Sequence, residues 1–270
     1  MTVASGAFAA LMIVLIGSPA NAGTPITATT FVSAALPANV KVYWSKIDRL
    51  TGAATGSLQT TTLYSESTVK IWLAADYLRV HPSPSATEKN RLRLMVVYSD
   101  DAAGDHFWSL NGGNASITRM ISKCKLTDTK MTSGWWSKTL ISARDLAKLG
   151  LCVVEGRAGA GPTQTAWIVD WMRHIAGDSL FGIKLALPAD EASLVAAKNG
   201  WFNHSFDSRW RVLCLGVHPN WALAILTFYP SSLGRVYGEQ LCETYTKNIL
   251  GFIRPSHPRS WPHPPRPPLG

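Results

Sequence analysis

The feature that most constrains the fold of this chain is a change in the spacing of its apolar residues, from strand-like near both ends to helical between them. Residues 40–47 partly alternate polar and apolar side chains, which is typical of a half-buried strand. Strand-like patterns return near the other end of the chain, in residues 195–203, 210–217 and 221–229. The long stretch between these two regions is mostly helical in its spacing. Strands at both ends with helices between them predict one α/β sheet that carries a helical insert, and not two consecutive domains.

Start and stop signals place the individual helices. Residues 67–80 form an apolar run that ends at His81-Pro82-Ser83-Pro84. Ser142 and Asp145 form a capping pattern, which predicts a helix from Ser142 to about residue 154. The other predicted helices cover residues 87–98, 114–123, 164–174 and 234–253. A hairpin with the first strand is predicted from a turn over residues 48–56 and a returning strand over residues 57–63.

The first 22 residues predict export. They hold no charged side chain, and the apolar run of residues 7–16 has the length of a signal-peptide core but cannot span a bilayer. Ala20-Asn21-Ala22 offers a small-x-small cleavage site before Gly23. We therefore expect a signal peptide over residues 1–22 and a secreted or extracytoplasmic protein without a membrane span.

The two ends of the chain differ in charge and in proline content. The formal net charge is +9, and Arg254, Arg259 and Arg266 contribute three of these charges, which leaves about six on the rest. Prolines dominate residues 254–270, so an extended, disordered tail is predicted, either associated with a cell wall or without a role. The basic balance suits a negatively charged envelope or anionic ligands. Nucleic acid is not expected as a partner, because no Lys/Arg cluster stands out and the protein is predicted to be exported.

Four cysteines fit an oxidising compartment. They allow three pairings, and we favour Cys124–Cys152 with Cys214–Cys242, because each of these links neighbouring elements. No two cysteines are two to four residues apart, and no histidine pair flanks them, so no metal site is predicted. The sequence also contains no phosphate-cradling glycine loop after a strand, and no cofactor is expected.

Ser67-Thr68-Val69-Lys70 is the strongest candidate for chemistry. Residues three apart share one face of a helix, so the Ser67 hydroxyl and the Lys70 amine are expected to be neighbours. A lysine desolvated in a pocket loses its proton more easily and can accept one from serine. The alternative is a capping serine with a solvated lysine one turn later.

Two further motifs follow in a fixed order: Ser99-Asp100-Asp101, after an apolar helix, and Lys198-Asn199-Gly200, in a predicted strand. With these three motifs the chain resembles the class A β-lactamase and penicillin-binding-protein family, which carries Ser-x-x-Lys, Ser-Asp-Asn and Lys-Thr/Ser-Gly. The resemblance covers residues 40–253. It implies a β-lactamase-like three-layer α/β sandwich over residues 23–253, in a protein of the bacterial cell envelope, with the site between the sheet edge and the helical insert.

The resemblance implies a catalytic role for three residues. Ser67 would attack a carbonyl carbon, Lys70 would receive the serine proton, and Ser99 would relay a proton to the departing nitrogen. The backbone N–H groups of Ser67 and Trp201 would form the oxyanion hole.

The resemblance also implies a substrate-binding set. Lys198 and Asn199 would hold the ligand carboxylate, and Gly200 would let the strand edge approach the ligand. Asp101 occupies the position of the family's asparagine. An ionised Asp101 only accepts hydrogen bonds, and near Lys70 it would hold the lysine charged.

The hydrolytic members of the family carry a glutamate that activates water, on a loop before the helix that here begins at Ser142. Residues 129–141 contain no carboxylate, and neither Asp128 nor Glu155 matches the motif. Trp135 and Trp136 in this segment are candidates for ligand contact, together with Trp201. An acyl-enzyme would therefore persist, because losing a general base costs about a hundred- to ten-thousand-fold in rate.

These features predict an exported β-lactamase-like serine hydrolase that is acylated at Ser67 by β-lactams or related peptide-like amides and turns over slowly. The expected ligand is a small molecule or peptide, either a β-lactam or D-Ala-D-Ala-like. Two alternatives stay open: a penicillin-binding or D,D-peptidase-like protein, and an inactive ligand-binding module of the same fold.

Overall fold

The structure is a computed structural model that describes residues 36–252. The predicted signal peptide over residues 1–22 and the predicted tail over residues 254–270 lie outside the described residues. Within the described part of the chain, no helix combines the length and the apolar character that a membrane span requires.

Five strands form one antiparallel sheet in the order β2-β1-β7-β6-β5, and two short strands, β3 and β4, pair separately. The strands are β1 (Lys41–Asp48), β2 (Ala54–Ser57), β3 (Thr62–Tyr64), β4 (Leu140–Ser142), β5 (Ala196–His204), β6 (Arg209–Val217) and β7 (Trp221–Pro230). The predicted terminal strands thus join in one sheet, and β5 lies at its edge.

The helices of the described residues lie mainly between β3 and β5. They are α1 (Lys70–Val80), α2 (Ala86–Val97), α3 (Asp101–Leu110), α4 (Asn114–Cys124), α5 (Ala143–Val154), α6 (Pro162–Arg173), α7 (Ile183–Ala186), α8 (Ala189–Leu194) and α9 (Gly234–Leu250). The predicted helical insert is confirmed, and Ser142 caps α5 by accepting a hydrogen bond from Asp145 N.

The sheet is buried on both faces. In β7, Ala222, Ala224 and Leu226 face a core shared with the helical insert, whereas Leu223 and Ile225 face a second core that α9 covers. Alternate side chains of a strand point to opposite faces, so a strand between two helical layers must be apolar at nearly every position. The result is the predicted three-layer α/β sandwich.

The structure corrects three local predictions. The strand that pairs with β1 in the hairpin is β2, over Ala54–Ser57, and not the predicted strand over residues 57–63. Thr62 and Leu63, from that predicted strand, instead begin β3, which pairs with β4. The helix predicted from Ser67 begins as a 3₁₀ turn, Glu66–Val69, and becomes α-helical at Lys70. Helix α3 was not predicted, because Gly104 and the polar residues of its first turn hide its apolar spacing.

Both predicted disulfides are confirmed. Cys124–Cys152 joins α4 to α5, and Cys214–Cys242 joins β6 to α9, each across 28 residues of sequence. A crosslink of this span restricts the unfolded chain, which stabilises the fold by about 3 kcal/mol.

We expect replacement of Cys214 and Cys242 by serine to lower the free energy of unfolding by about 3 kcal/mol, or roughly 6 to 12 °C in Tm. Thermal unfolding of the purified protein, followed by circular dichroism, measures the loss. Wild-type protein unfolded in the presence of a thiol reductant should show a loss of at least the same size. An unchanged Tm in both experiments would contradict a stabilising role for this bridge.

Candidate active site

A cavity of about 450 Å³ opens beside the edge strand β5. Its walls come from the Glu66–Val69 turn, the start of α3, the segment from Trp135 to Lys138, and the end of β5 with the residues after it. The lining residues are Glu66, Ser67, Asp101, Asp105, Trp135, Trp136, Ser137, Lys138, Trp201, Phe202, His204, Ser205 and Phe206. Predicted site residues from all three motif regions therefore meet around one space.

Ser67 is half-buried in the wall of this cavity. Its turn packs directly on β5, since a Cβ added to Gly200 would lie 2.8 Å from Ser67 N and 3.0 Å from Glu66 Cβ. A side chain at residue 200 would push the turn off the strand. Gly200 was predicted to let a ligand approach the strand, and the structure shows that it also lets the serine's own turn approach.

Lys70, three residues after Ser67, is fully buried. Its Nζ donates hydrogen bonds to Ser99 O and to Asp101 Oδ1, each at 2.6 Å. Burial lowers the pKa of Lys70, and the Asp101 carboxylate opposes that shift. The predicted contact between Asp101 and Lys70 is confirmed, but burial outweighs the carboxylate in its effect on the pKa of the lysine.

Ser99 connects the two buried lysines. It adopts a left-handed backbone conformation with φ of 63° in the sharp bend between α2 and α3. Its Oγ accepts a hydrogen bond from Lys198 Nζ at 2.8 Å and lies 3.5 Å from Lys70 Nζ. With both lysines donating, the Ser99 hydroxyl keeps its own hydrogen for another acceptor.

Lys198 is also fully buried, and its Nζ donates a second hydrogen bond to Asn199 O at 2.8 Å. Burial holds the pKa of Lys198 well below its ordinary value, and the nearby charge of Lys70 lowers it further. The ammonium was predicted to face a ligand carboxylate. In this structure it lies behind Ser99, and Lys198 is not among the residues that line the cavity.

Asn199 does not reach the cavity. Its amide nitrogen donates to Ser179 O and Phe181 O, both at 2.9 Å, and its side chain is 1% exposed. Adjacent residues of a strand point to opposite faces, so Asn199 faces away from Lys198. The structure therefore does not support the predicted contact between Asn199 and a ligand carboxylate, because both amide hydrogens are committed elsewhere.

Two carboxylates stand on the α3 side of the cavity. Asp101 follows the capping residue Asp100, and its side chain is 79% exposed although one oxygen pairs with Lys70. Asp105, one helical turn later, is exposed and accepts a hydrogen bond from Trp136 Nε1 at 2.8 Å. Residues one turn apart share a helix face, so both carboxylates meet the same space.

Aromatic side chains form much of the remaining wall. Trp135 and Trp136 line the cavity. Trp201 also borders it, but its side chain is on the Asn199 face of β5, where the ring packs against Phe181 and Arg235 in the second core. Trp135 is 47% exposed, whereas Trp136 is buried below it with its ring centroid 4.8 Å from Lys70 Nζ. These flat faces suit a ligand that carries apolar or planar groups.

The two carboxylates that flank the short loop have other partners. Asp128 binds Arg144 and accepts from Ser142 Oγ at 2.7 Å, and Glu155 binds Arg49 at 3.1 Å. Neither lines the cavity. No group of three or more His, Cys, Asp or Glu side chains in residues 36–252 is arranged to hold a metal ion.

Sequence reasoning missed a buried pair at the cavity. Glu66, directly before Ser67, lies 2.7 Å from His204 through Oε1 and Nε2. The spacing of β5 contained a signal, since Lys198, Gly200 and His204 are separated by even numbers of residues and so share one face of the strand. The partner of His204, however, lies 138 residues away in sequence.

Comparisons with known proteins agree with this geometry. The model of the β-lactamase enzyme family matches residues 80–211. The proteins named "Putative lipoprotein LppW" in Mycobacterium bovis and Mycobacterium tuberculosis are 29% identical over 205 residues. That alignment covers 72% of this chain and 63% of each relative, so the chain spans less than two thirds of their length.

Solved structures share the fold. A structure of PBP-A superposes with a TM-score of 0.65 at 16% identity, over 80% of this chain and 91% of the other. A class A β-lactamase from Mycobacterium abscessus gives a TM-score of 0.61 at 16% identity, over 78% of this chain and 93% of that enzyme. The chain therefore has a β-lactamase-like fold, and its residues 80–211 match the β-lactamase enzyme family.

Proposed function

We propose that this protein is an extracytoplasmic active-serine acyl-transfer protein, acylated at Ser67 by β-lactams or related peptide-like amides and slow to release the acyl group. One observation carries the proposal. Ser67 lines a 450 Å³ cavity, and its turn packs on β5 at Gly200. Lys70, Ser99 and Lys198 form a buried hydrogen-bonded chain between the same two elements. The two disulfides agree with an oxidising compartment outside the cytoplasm.

Acylation would use these groups in order. A neutral Lys70 takes the proton of the Ser67 hydroxyl as Oγ bonds to the carbonyl carbon, and the two backbone N–H groups of Ser67 and Trp201 stabilise the negative oxygen. The C–N bond then breaks, and the departing nitrogen receives the Ser99 hydroxyl proton. Lys70, now protonated, returns a proton to Ser99.

Release of the acyl group needs water and a base. In the family this base is a loop glutamate, and the corresponding residues 129–141 contain no carboxylate. The acyl-enzyme is therefore expected to last far longer than in an efficient hydrolase.

A time course with a fluorescent penicillin tests the proposal. Intact mass should show one adduct per protein molecule, which decays slowly while hydrolysed penicillin accumulates. Rapid decay with product formation would instead indicate an efficient lactamase. No adduct at any dose would overturn acylation. A mutant of PBP-A has been solved as an acyl-enzyme complex with penicillin G, so the same assay on that mutant is a positive control.

A ligand-binding module without chemistry is the second candidate. The salt bridge between Lys70 and Asp101 favours a charged lysine, and Lys198 and Asn199 do not face the cavity. Such a module would bind a peptide-like ligand and form no covalent adduct with it. Isothermal titration in parallel with mass spectrometry distinguishes binding alone from acylation.

A further inference from the structure

Glu66 and His204 form a buried titratable pair at the cavity that the proposed chemistry does not use. Their side chains are 4% and 8% exposed, and their polar atoms are 2.7 Å apart. An isolated buried charge is costly, so a carboxylate in this position needs its partner. An ionised Glu66 also fixes the tautomer of His204, since Nε2 must then carry the hydrogen.

The pair connects the two elements that would form the oxyanion hole. Glu66 immediately precedes Ser67 on the 3₁₀ turn, and His204 follows Trp201 by three residues on β5. Gly200 already brings the turn within contact of the strand at one point. The ion pair supplies a second attachment further along the strand, so the turn is held at two points.

The backbone at Glu66 requires such support. Its φ of 48° lies in the left-handed region, which is unfavourable for a residue with a side chain and persists only where the surroundings hold it. Because this residue directly precedes the nucleophile, relaxation at Glu66 would also rotate the peptide unit that carries Ser67 N–H.

Several side chains enclose the pair. The His204 ring lies 4.8 to 5.3 Å from the rings of Tyr64, Phe202 and Phe206. Burial is the largest influence on the pKa of Glu66 and raises it, whereas the contact with His204 lowers it. Two charged groups outside the pair also act on Glu66: Arg211 lowers its pKa and Asp101 raises it. Asp207 is the carboxylate near His204 on the other side, and His204 lowers its pKa.

We propose that Glu66 and His204 are a positioning pair that holds the Ser67 turn against β5, so that the N–H groups of Ser67 and Trp201 converge on one oxygen. The role rests on the proposed acylation at Ser67. An ionised Glu66 makes the firmer attachment, because the neutral acid would leave a weaker contact in place of a charge-assisted hydrogen bond.

Acylation rates at saturating fluorescent penicillin test the pair. Glu66→Ala should acylate about a hundredfold more slowly than wild type, the size of loss expected when catalytic groups move by about 1 Å. Glu66→Gln, which keeps the shape and one hydrogen bond, should lose only a few-fold, about threefold. His204→Gln serves as the second variant if Glu66→Ala does not fold.

A matched control exists in the same protein. His218 and Glu191 form another His–carboxylate pair at 3.2 Å, at the opposite end of the β5–β6 ladder. Glu191→Ala should acylate at the wild-type rate. Equal losses in Glu66→Ala and Glu191→Ala would overturn the positioning role.

The pH profile separates positioning from a contribution to stability. Because the pKa of Glu66 is raised, its protonation on acidification favours the folded state, so the protein gains stability from this group as pH falls. As Glu66 becomes protonated on acidification, the acylation rate of the wild type should nevertheless fall and approach the rate of Glu66→Gln. Parallel profiles for wild type and Glu66→Gln, or a Glu66→Ala rate within about twofold of wild type, would overturn the proposal. Absence of any wild-type adduct would remove the proposed function and this role with it.

Discussion

Ser67→Ala is expected to form no covalent adduct with a fluorescent penicillin, a loss of about 10⁴-fold or more in acylation rate. The variant removes the oxygen that would bond to the ligand carbonyl and leaves the cavity otherwise intact. The alanine side chain fits the half-buried site, so the fold should not change. Intact mass spectrometry, with thermal unfolding as a check on folding, measures the effect.

Ser205 provides the control for this substitution. It lines the same cavity and is exposed, and no lysine follows it at the three-residue spacing that separates Ser67 from Lys70. Ser205→Ala should therefore acylate like wild type. An adduct of equal yield in Ser67→Ala would show that another residue is modified and would contradict the assignment of Ser67 as the nucleophile.

Asp101→Asn is expected to raise the acylation rate at neutral pH by about tenfold or more, since an effective general base contributes at least that much. The Asp101 carboxylate, 2.6 Å from Lys70 Nζ, raises the pKa of a lysine that burial lowers. Removing that charge lowers the pKa of Lys70 further. Neutral Lys70 is then populated at lower pH, so the rising limb of the pH–rate profile should move toward acid.

Asp105→Asn is the matched control. Asp105 lines the cavity one turn later on α3 but contacts Trp136 rather than Lys70, and its charge is a weaker influence on the lysine. We expect a smaller shift of the same sign. Suppose that Asp101→Asn acylates no faster than wild type and that the rising limb of its pH–rate profile does not move. The Asp101 carboxylate is then not what keeps Lys70 from acting as a base.

The architecture could be predicted because each layer leaves a local pattern. The terminal strands alternate or are apolar throughout, and Ser142 with Asp145 marks the start of α5. The disulfides followed from the order of neighbouring elements. The hairpin return was misplaced because Ala54–Ser57 is wholly exposed, so no apolar alternation identifies it as a strand.

The site could be predicted only in part. The motifs named Ser67, Lys70, Ser99 and Lys198. The structure joins the last three by hydrogen bonds and places Ser67 in the wall of the cavity. A sequence motif, however, does not show which way a side chain points in the folded protein. Asn199 was expected to face a ligand and instead holds the backbone at Ser179 and Phe181.

The sequence by itself indicated strands at both ends with a helical insert between them, favoured the cysteine pairs that form, and supplied the chemical types available at three motifs. These depend on short-range periodicity and on spacing, which one chain displays directly. Only the tertiary structure decided which polar and charged side chains come into contact with one another. The contact between Glu66 and His204 spans 138 residues, and that between Ser99 and Lys198 spans 99. Such pairs form because the helical insert packs on the edge strand, and burial there, rather than any local pattern, sets the pKa of Lys70 and Glu66.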